Sequence, residues 1–205
     1  MPRSANSRYA VPISSLTVTR RLPITALVAA ALVPAALALP GSRAAAKPSS
    51  GPTAAQERAA VRRATRSRNL WATVNICNTR RHPDVIGFRV QMPGLGFGAN
   101  LSAEVRVEYW SPAAKHFRPV PGRSGSLGSV VSLGRATTGT HQSGVSFPIQ
   151  KPPSGVHYVF RGVATFKWKL GSKVLGSTTR TTGHGYRHVD QSDPAGYSSG
   201  TCTIS

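Results

Sequence analysis

The sequence predicts an all-β domain: a β-sandwich, with an immunoglobulin-like topology as the first reading and a jelly roll or a partly closed barrel as the alternatives. Three observations lead there. From Leu70 onward, apolar residues recur at every second position in run after run. Turn-forming clusters separate those runs at short intervals, among them His82-Pro83-Asp84, Pro93-Gly94, Pro121-Gly122 and Pro152-Pro153-Ser154-Gly155. No window after Leu70 carries the three-to-four-residue spacing of an amphipathic helix. About seven short strands with so little room for helices suit two packed sheets better than an α/β arrangement.

Taken in order, the first expected strand runs from Leu70 to Cys77. It sets Leu70, Ala72, Val74 and Ile76 on one face and Trp71, Thr73, Asn75 and Cys77 on the other. In the second, Ile86, Phe88, Val90 and Met92 alternate with Gly87, Arg89 and Gln91. Val105, Val107 and Tyr109 oppose Glu104, Arg106 and Glu108, and shorter alternations follow at 127–133 and 145–149. The longest run is 158–170, with Phe160, Gly162, Ala164, Phe166, Trp168 and Leu170 inward and Arg161, Thr165, Lys167 and Lys169 outward. A threonine-rich stretch, 174–182, completes the set. Gly94 to Gly98 reads as a flexible hairpin tip, and Trp71 and Trp110, which share their faces with polar residues, read as exposed.

Ahead of this domain the chain has a different character. Residues 1–46 read as a signal peptide with a polar extension: the basic pair Arg20-Arg21, an apolar stretch from Leu22 to Leu39, and the small residues Ala44, Ala45 and Ala46. Cleavage is expected after Ala46, with Ala38 as the second candidate. A retained anchor is the competing reading, weakened by Pro23 and Pro34. The first 17 residues are polar for such a leader, which makes Val18 an alternative start. Residues 47–69 are rich in Ala, Pro, Ser and Arg and read as a basic linker, within which 54–68 has the composition of a short, strongly basic helix. The expected location is therefore secreted or at the cell envelope.

An exported chain with two cysteines is expected to pair them. A Cys77–Cys202 bond would tie the first strand to the C-terminal tail and close a loop of about 125 residues, a constraint on the unfolded chain equivalent to roughly 4–5 kcal/mol. Strict alternation puts Cys77 on the face of Trp71 and Asn75, so the bond is expected at a sheet edge or outer face, away from the core. Antibody-type domains carry a Trp between their bonded cysteines in the strand after the first one. Here Trp168 comes late, so that pattern is not matched.

Charge is the strongest compositional feature. There are 26 Lys and Arg against 6 Asp and Glu, a formal net charge of +20. Such a surplus draws polyanions without specifying a fold. The expected partners are an anionic cell-wall polymer, nucleic acid or an anionic lipid surface, with another extracellular protein as a further option. Arg161, Lys167 and Lys169 form the candidate binding stripe. The aromatics of that strand are committed to the opposite face, so the stripe lacks the interleaved rings that stack on bases.

No reaction can be read from the residues, and the chain is expected to be a non-enzymatic module, with a purely structural or adhesion role and an enzyme with an unrecognised site as alternatives. Glu104 and Glu108 share a face but stand about 13 Å apart on a strand, too far for paired-carboxylate hydrolysis. They are expected to pair with basic side chains across the sheet. No Gly-x-Ser-x-Gly elbow is present, and both cysteines are committed to each other. His184 and His188 lie near Asp190 and Asp193, but two glycines and a polar tail make this a solvated loop rather than a metal site. Gly94-Leu95-Gly96-Phe97-Gly98 precedes no helix, so it is no phosphate loop. No metal and no cofactor is expected.

Leu70-Trp71-Ala72-Thr73-Val74-Asn75-Ile76-Cys77-Asn78-Thr79, His82-Pro83, Met92-Pro93-Gly94, and the closing Asp193-Pro194-Ala195-Gly196-Tyr197-Ser198 with Thr201-Cys202 resemble an uncharacterised group of exported proteins from high-GC Gram-positive bacteria. The resemblance spans roughly residues 70–205. It implies export and paired cysteines, and it transfers no catalytic residue.

Overall fold

The computed structural model describes residues 51–205 apart from Ser124. The leader read at residues 1–46 lies outside the described residues, as does the start of the linker. The described chain is a β-sandwich preceded by one helix, α1 (Ala54–Thr65). The strands are β1 (Trp71–Cys77), β2 (Val85–Pro93), β3 (Ala99–Ser111), β4 (His116–Pro119), β5 (Pro121–Gly122), β6 (Gly125–Ser126), β7 (Gly128–Ala136), β8 (Thr140–Pro148), β9 (Tyr158–Leu170), β10 (Lys173–Thr181) and β11 (Cys202–Ile204).

One sheet has the order β1-β2-β8. The facing sheet has the order β10-β9-β3-β4, with β7 also on β3 and β11 also on β9; β5 and β6 form a separate two-stranded ribbon, and every pairing of these strands is antiparallel. With β4 to β7 taken as one excursion at the edge, the first, second and fifth strands face the third, sixth and seventh. This is an immunoglobulin-like order. The inner faces meet in a core that includes Val74, Phe88, Val90, Leu101, Phe166 and Trp168. The Trp168 indole donates to the Pro93 carbonyl at 3.1 Å, so its one polar group is satisfied in the interior. Gly162 of β9 is needed where it stands, because a Cβ there would lie 2.7 Å from the Phe88 ring.

Four expectations need correction. The first concerns Cys77. Val74 pairs with Phe88, but the register then shifts, so that Ile76 pairs with Gly87 and Cys77 with Ile86. Asn75 is the extra residue of a β-bulge, and one extra residue reverses the alternation that follows it. Cys77 therefore turns to the core side with Ile86, and Ile76 turns outward. The Cys77–Cys202 bond is formed, with its Cα atoms 5.4 Å apart. It joins β1 of one sheet to β11 of the other, and Cys202 is buried within the core. The bridge is an inner clasp between sheets, not an outer one.

Trp71 is the second correction. It is buried rather than exposed, whereas Trp110 is exposed as expected. The outer face of β1-β2 is covered by the C-terminal segment 183–201, which makes both faces of these strands interior. Trp71 stacks on Tyr186 with centroids 4.8 Å apart and planes inclined by 12°. The Thr73 hydroxyl lies within hydrogen-bond distance of the Gly183 and Ser199 carbonyls and of the Ser198 hydroxyl. Val74 and Ser199 exchange backbone hydrogen bonds, so the segment also protects the open edge of β1.

The third correction is the reading of 47–69 as a linker. Thr53 and Gln56 cap α1 reciprocally, the Thr53 hydroxyl accepting from the Gln56 N–H and the Gln56 side chain accepting from the Thr53 N–H. Ala60 and Ala64 then enter the core, and Val61 fills the space left by Gly176 of β10, where a Cβ would lie 2.4 Å from it. Glu57 points inward and pairs with Lys173 at 2.6 Å. The helix belongs to the packed unit. Finally, Gly94–Gly98 is no hairpin tip, since it carries the chain from β2 in one sheet to β3 in the other, with Leu95 buried.

Candidate functional site

The stripe expected to bind anions is largely engaged within the domain. Arg161 pairs with Glu108 at 2.7 Å and lies 4.1 Å above the Phe117 ring. Lys167 pairs with Glu104 at 3.6 Å. Both partners sit on β3, the neighbour of β9, as the expected cross-strand pairing of Glu104 and Glu108 requires. Only Lys169 of the three has no ion pair among the described residues. Exposed pairs of this kind contribute little to stability, but they neutralise the stripe.

The basic surface lies instead on α1. With Glu57, Ala60, Val61 and Ala64 turned toward the sandwich, the 3.6-residue period places Arg58, Arg62 and Arg66 in one outward row and Arg63 beside it, all exposed. Eight residues of helix make this row about 12 Å long. The single acid of the helix is drawn inward to Lys173, so nothing acidic interrupts the row. Arg180 of β10 donates to the Thr65 carbonyl at 2.7 Å and tethers the end of the helix.

A second feature lies on the outer face of the three-stranded sheet, where a cleft of about 470 Å³ opens between the 78–84 loop and the tail. The loop that walls it is held locally. Asn78 and Asp84 adopt left-handed backbone angles of 43° and 54°, which short polar side chains tolerate, and the Asp84 N–H donates to the Asn78 side chain at 2.8 Å. This presents Arg81 and His82 to the cleft. Opposite them, Asp193 accepts from the Thr79 hydroxyl and pairs with His82 Nδ1 at 3.0 Å. Those hydrogen bonds, Thr79 first and His82 second, hold the Asp193 carboxyl below the usual carboxylate range.

The floor of the cleft is made of backbone and two buried polar side chains. Gly144 contributes no side chain there. Asn75 donates to the Gln191 carbonyl at 2.9 Å, and Arg89 donates through Nη2 to the Gln191 side chain. Burial pulls Arg89 below the ordinary arginine value, an effect opposed by the charge of Asp190. Arg89 nonetheless remains a guanidinium cation. The Asn75 Oδ1 and Arg89 Nε atoms are buried without a hydrogen-bond partner.

Sequence reasoning missed this cleft because its parts come from β1, β2, β8, the 78–84 loop and the tail. One local signal existed, a charged Arg89 alternating with Gly87 and Gln91 in an otherwise apolar strand. His184, His188 and Asp190, weighed as a metal or catalytic cluster, are exposed, and only Asp193 of that group lines the cleft. Among the described residues no three His, Cys, Asp or Glu side chains gather as metal ligands. No helix of the described residues is long and apolar enough to cross a membrane.

No protein family, curated protein or solved structure matches the chain.

Proposed function

We propose that the protein is an exported, non-catalytic β-sandwich domain, secreted or held at the cell envelope, that binds anionic polymers through the arginine face of α1. The observation that carries this reading is the inward turn of Glu57 to Lys173, which leaves Arg58, Arg62, Arg63 and Arg66 as an unbroken cationic surface on a docked, capped helix. A rigid row of guanidinium groups suits a linear polyanion, because the side chains lose little additional backbone freedom on binding. Arginine also pairs with phosphate or carboxylate through two parallel N–H groups. Export is supported by the bond between the only two cysteines, Cys77 and Cys202, since such bonds persist in oxidising compartments. The expected partners remain wall polymer, nucleic acid or an anionic lipid surface. The test is retention of the folded protein on purified cell envelope and on immobilised polyanion at low ionic strength, followed by elution with salt. Retention lost as salt rises supports the reading, and passage through both materials at low salt rules it out.

The adhesion reading has one specific observation in its favour. Trp110 is exposed and packs edge-on against Phe117 with centroids 5.3 Å apart. Trp71, the other tryptophan expected at the surface, is buried, and the arginine face is the better supported of the two.

A further inference from the structure

Two buried polar atoms without partners in one cleft call for an explanation, because desolvating a polar group without a hydrogen bond is costly and desolvating part of a cation is costlier. Arg89 is 7% exposed and Asn75 3% exposed. Arg89 has no carboxylate within ion-pair distance among the described residues, and its Nε–H donor is unused. The Asn75 Nδ2 is committed to the Gln191 carbonyl, so the free atom of that side chain is an acceptor.

The backbone around these atoms is kept bare. Gly144 of β8 pairs with Arg89, and a Cβ there would lie 3.2 Å from Arg89 Nε. Gly87 of β2 pairs with Ile76, and a Cβ there would lie 3.0 Å from Asn75 Oδ1. A Cβ at either position would also press on the neighbouring strand, 2.5 Å from the Phe88 carbonyl at Gly144 and 2.9 Å from the Ile76 Cβ at Gly87. The bulge at Asn75 contributes as well, since it turns Ile76 outward into the cleft as an apolar wall. Arg81 and His82 lie at the rim, and Asp193 is already engaged by Thr79 and His82.

We propose that this cleft binds the α-carboxylate of an N-acylated amino acid, as at a peptide C terminus, with Arg89 taking the carboxylate and Asn75 accepting from the adjoining N–H. The requirement comes from the pair of atoms together. A guanidinium donor needs an acceptor, best an anionic one, and a buried amide oxygen needs a donor. Sulfate satisfies the first and leaves the second facing a charged acceptor. A carboxylate whose α-carbon carries an amide N–H satisfies both, and a small apolar side chain on that carbon meets Ile76. Capture of a terminal carboxylate is a recurrent mode of peptide recognition. The cleft is formed by the sheet, the 78–84 loop and the tail, so this inference does not rest on the arginine face of α1.

The experiment uses the oxidised, ¹⁵N-labelled protein and follows the Arg89 Nε–H and Asn75 side-chain signals by NMR. The probes are N-acetylalanine, N-acetyl-trialanine, the C-terminal amide of that tripeptide, and sodium sulfate. Saturable shifts of both signals with either acid are expected, with the amide weaker by at least about tenfold from loss of the charged acceptor. Tighter binding of the tripeptide acid than of the single residue would assign the site to peptide C termini, and equal binding would place all recognition in the terminal residue. Arg89→Lys, if its spectrum shows the native fold, should lose the acid preference. Absence of a saturable shift with both acids overturns the proposal, as does equal binding of acid, amide and sulfate. Neither result depends on the variant.

Discussion

Cys77 lies directly across from Ile86 on the inward side of the β1-β2 pair, although its neighbour Ile76 faces outward beside Gly87. Asn75 is responsible, since one inserted residue exchanges the faces of everything after it in the strand. Deleting Asn75 is therefore expected to turn Cys77 away from Cys202. Mass spectrometry of the unreduced protein after thiol alkylation should detect both cysteines labelled in the deletion variant and neither in the parent. An intact bond in the variant would mean that the bulge does not control the clasp.

The bond joins the two sheets across 125 residues of sequence. Replacing both cysteines with serine is expected to lower stability by about 2–5 kcal/mol, mainly by freeing the unfolded chain. Urea unfolding of parent and double variant at one pH measures the difference. A loss well under 1 kcal/mol would indicate a strained or redundant link.

Tyr186 shields Trp71 by stacking on it. Of the three tryptophans, Trp110 is 40% exposed, whereas Trp71 is 4% and Trp168 0% exposed. In the native protein iodide should quench a single class of emitter. Tyr186→Ala should add Trp71 to the quenchable set and cost about 1–3 kcal/mol. Unchanged quenching would show that the tail covers Trp71 without its tyrosine.

Asp193 ties the tail to the 78–84 loop through Thr79 and His82, and its folded carboxyl titrates below its unfolded value of about 3.9. The stabilisation it provides is complete above that pH and fades as pH falls through the lower folded value. Asp193→Asn should accordingly be less stable than the parent at neutral pH, with the two curves converging as pH falls through the lower folded value. Denaturant midpoints measured across the acid range decide this. Parallel curves would indicate that the carboxylate has no protonation-linked role.

Alternation made the fold class legible, because period-two patterns in β2, β3 and β9 survive folding unchanged. It failed at β1 for a local reason. Asn75 bears no mark of a bulge, and the parity of Cys77 depends on it. It failed again for a non-local reason, since Trp71, Thr73 and Arg89 look like outer-face residues until a segment more than one hundred positions later covers them. The basic composition of α1 was visible, but its docking rests on Ala60 and Ala64, which are as common in spacers as in interfaces. The stripe of Arg161, Lys167 and Lys169 was placed on the correct face, and the cross-strand pairing expected of Glu104 and Glu108 then neutralised most of it.

The most direct test of the proposed function compares the salt dependence of polyanion binding by the parent and by a triple variant, Arg58→Gln, Arg62→Gln and Arg66→Gln. These residues are exposed and their side chains form no ion pair among the described residues, so the variant should unfold at nearly the parent's midpoint. With a labelled single-stranded oligonucleotide as probe, each lost phosphate contact should reduce the slope of log K against log salt by about 0.7. The variant is predicted to bind more weakly at low salt, with a slope shallower by about 2. Equal affinity and equal slope for the two proteins would contradict the assignment of binding to the α1 face.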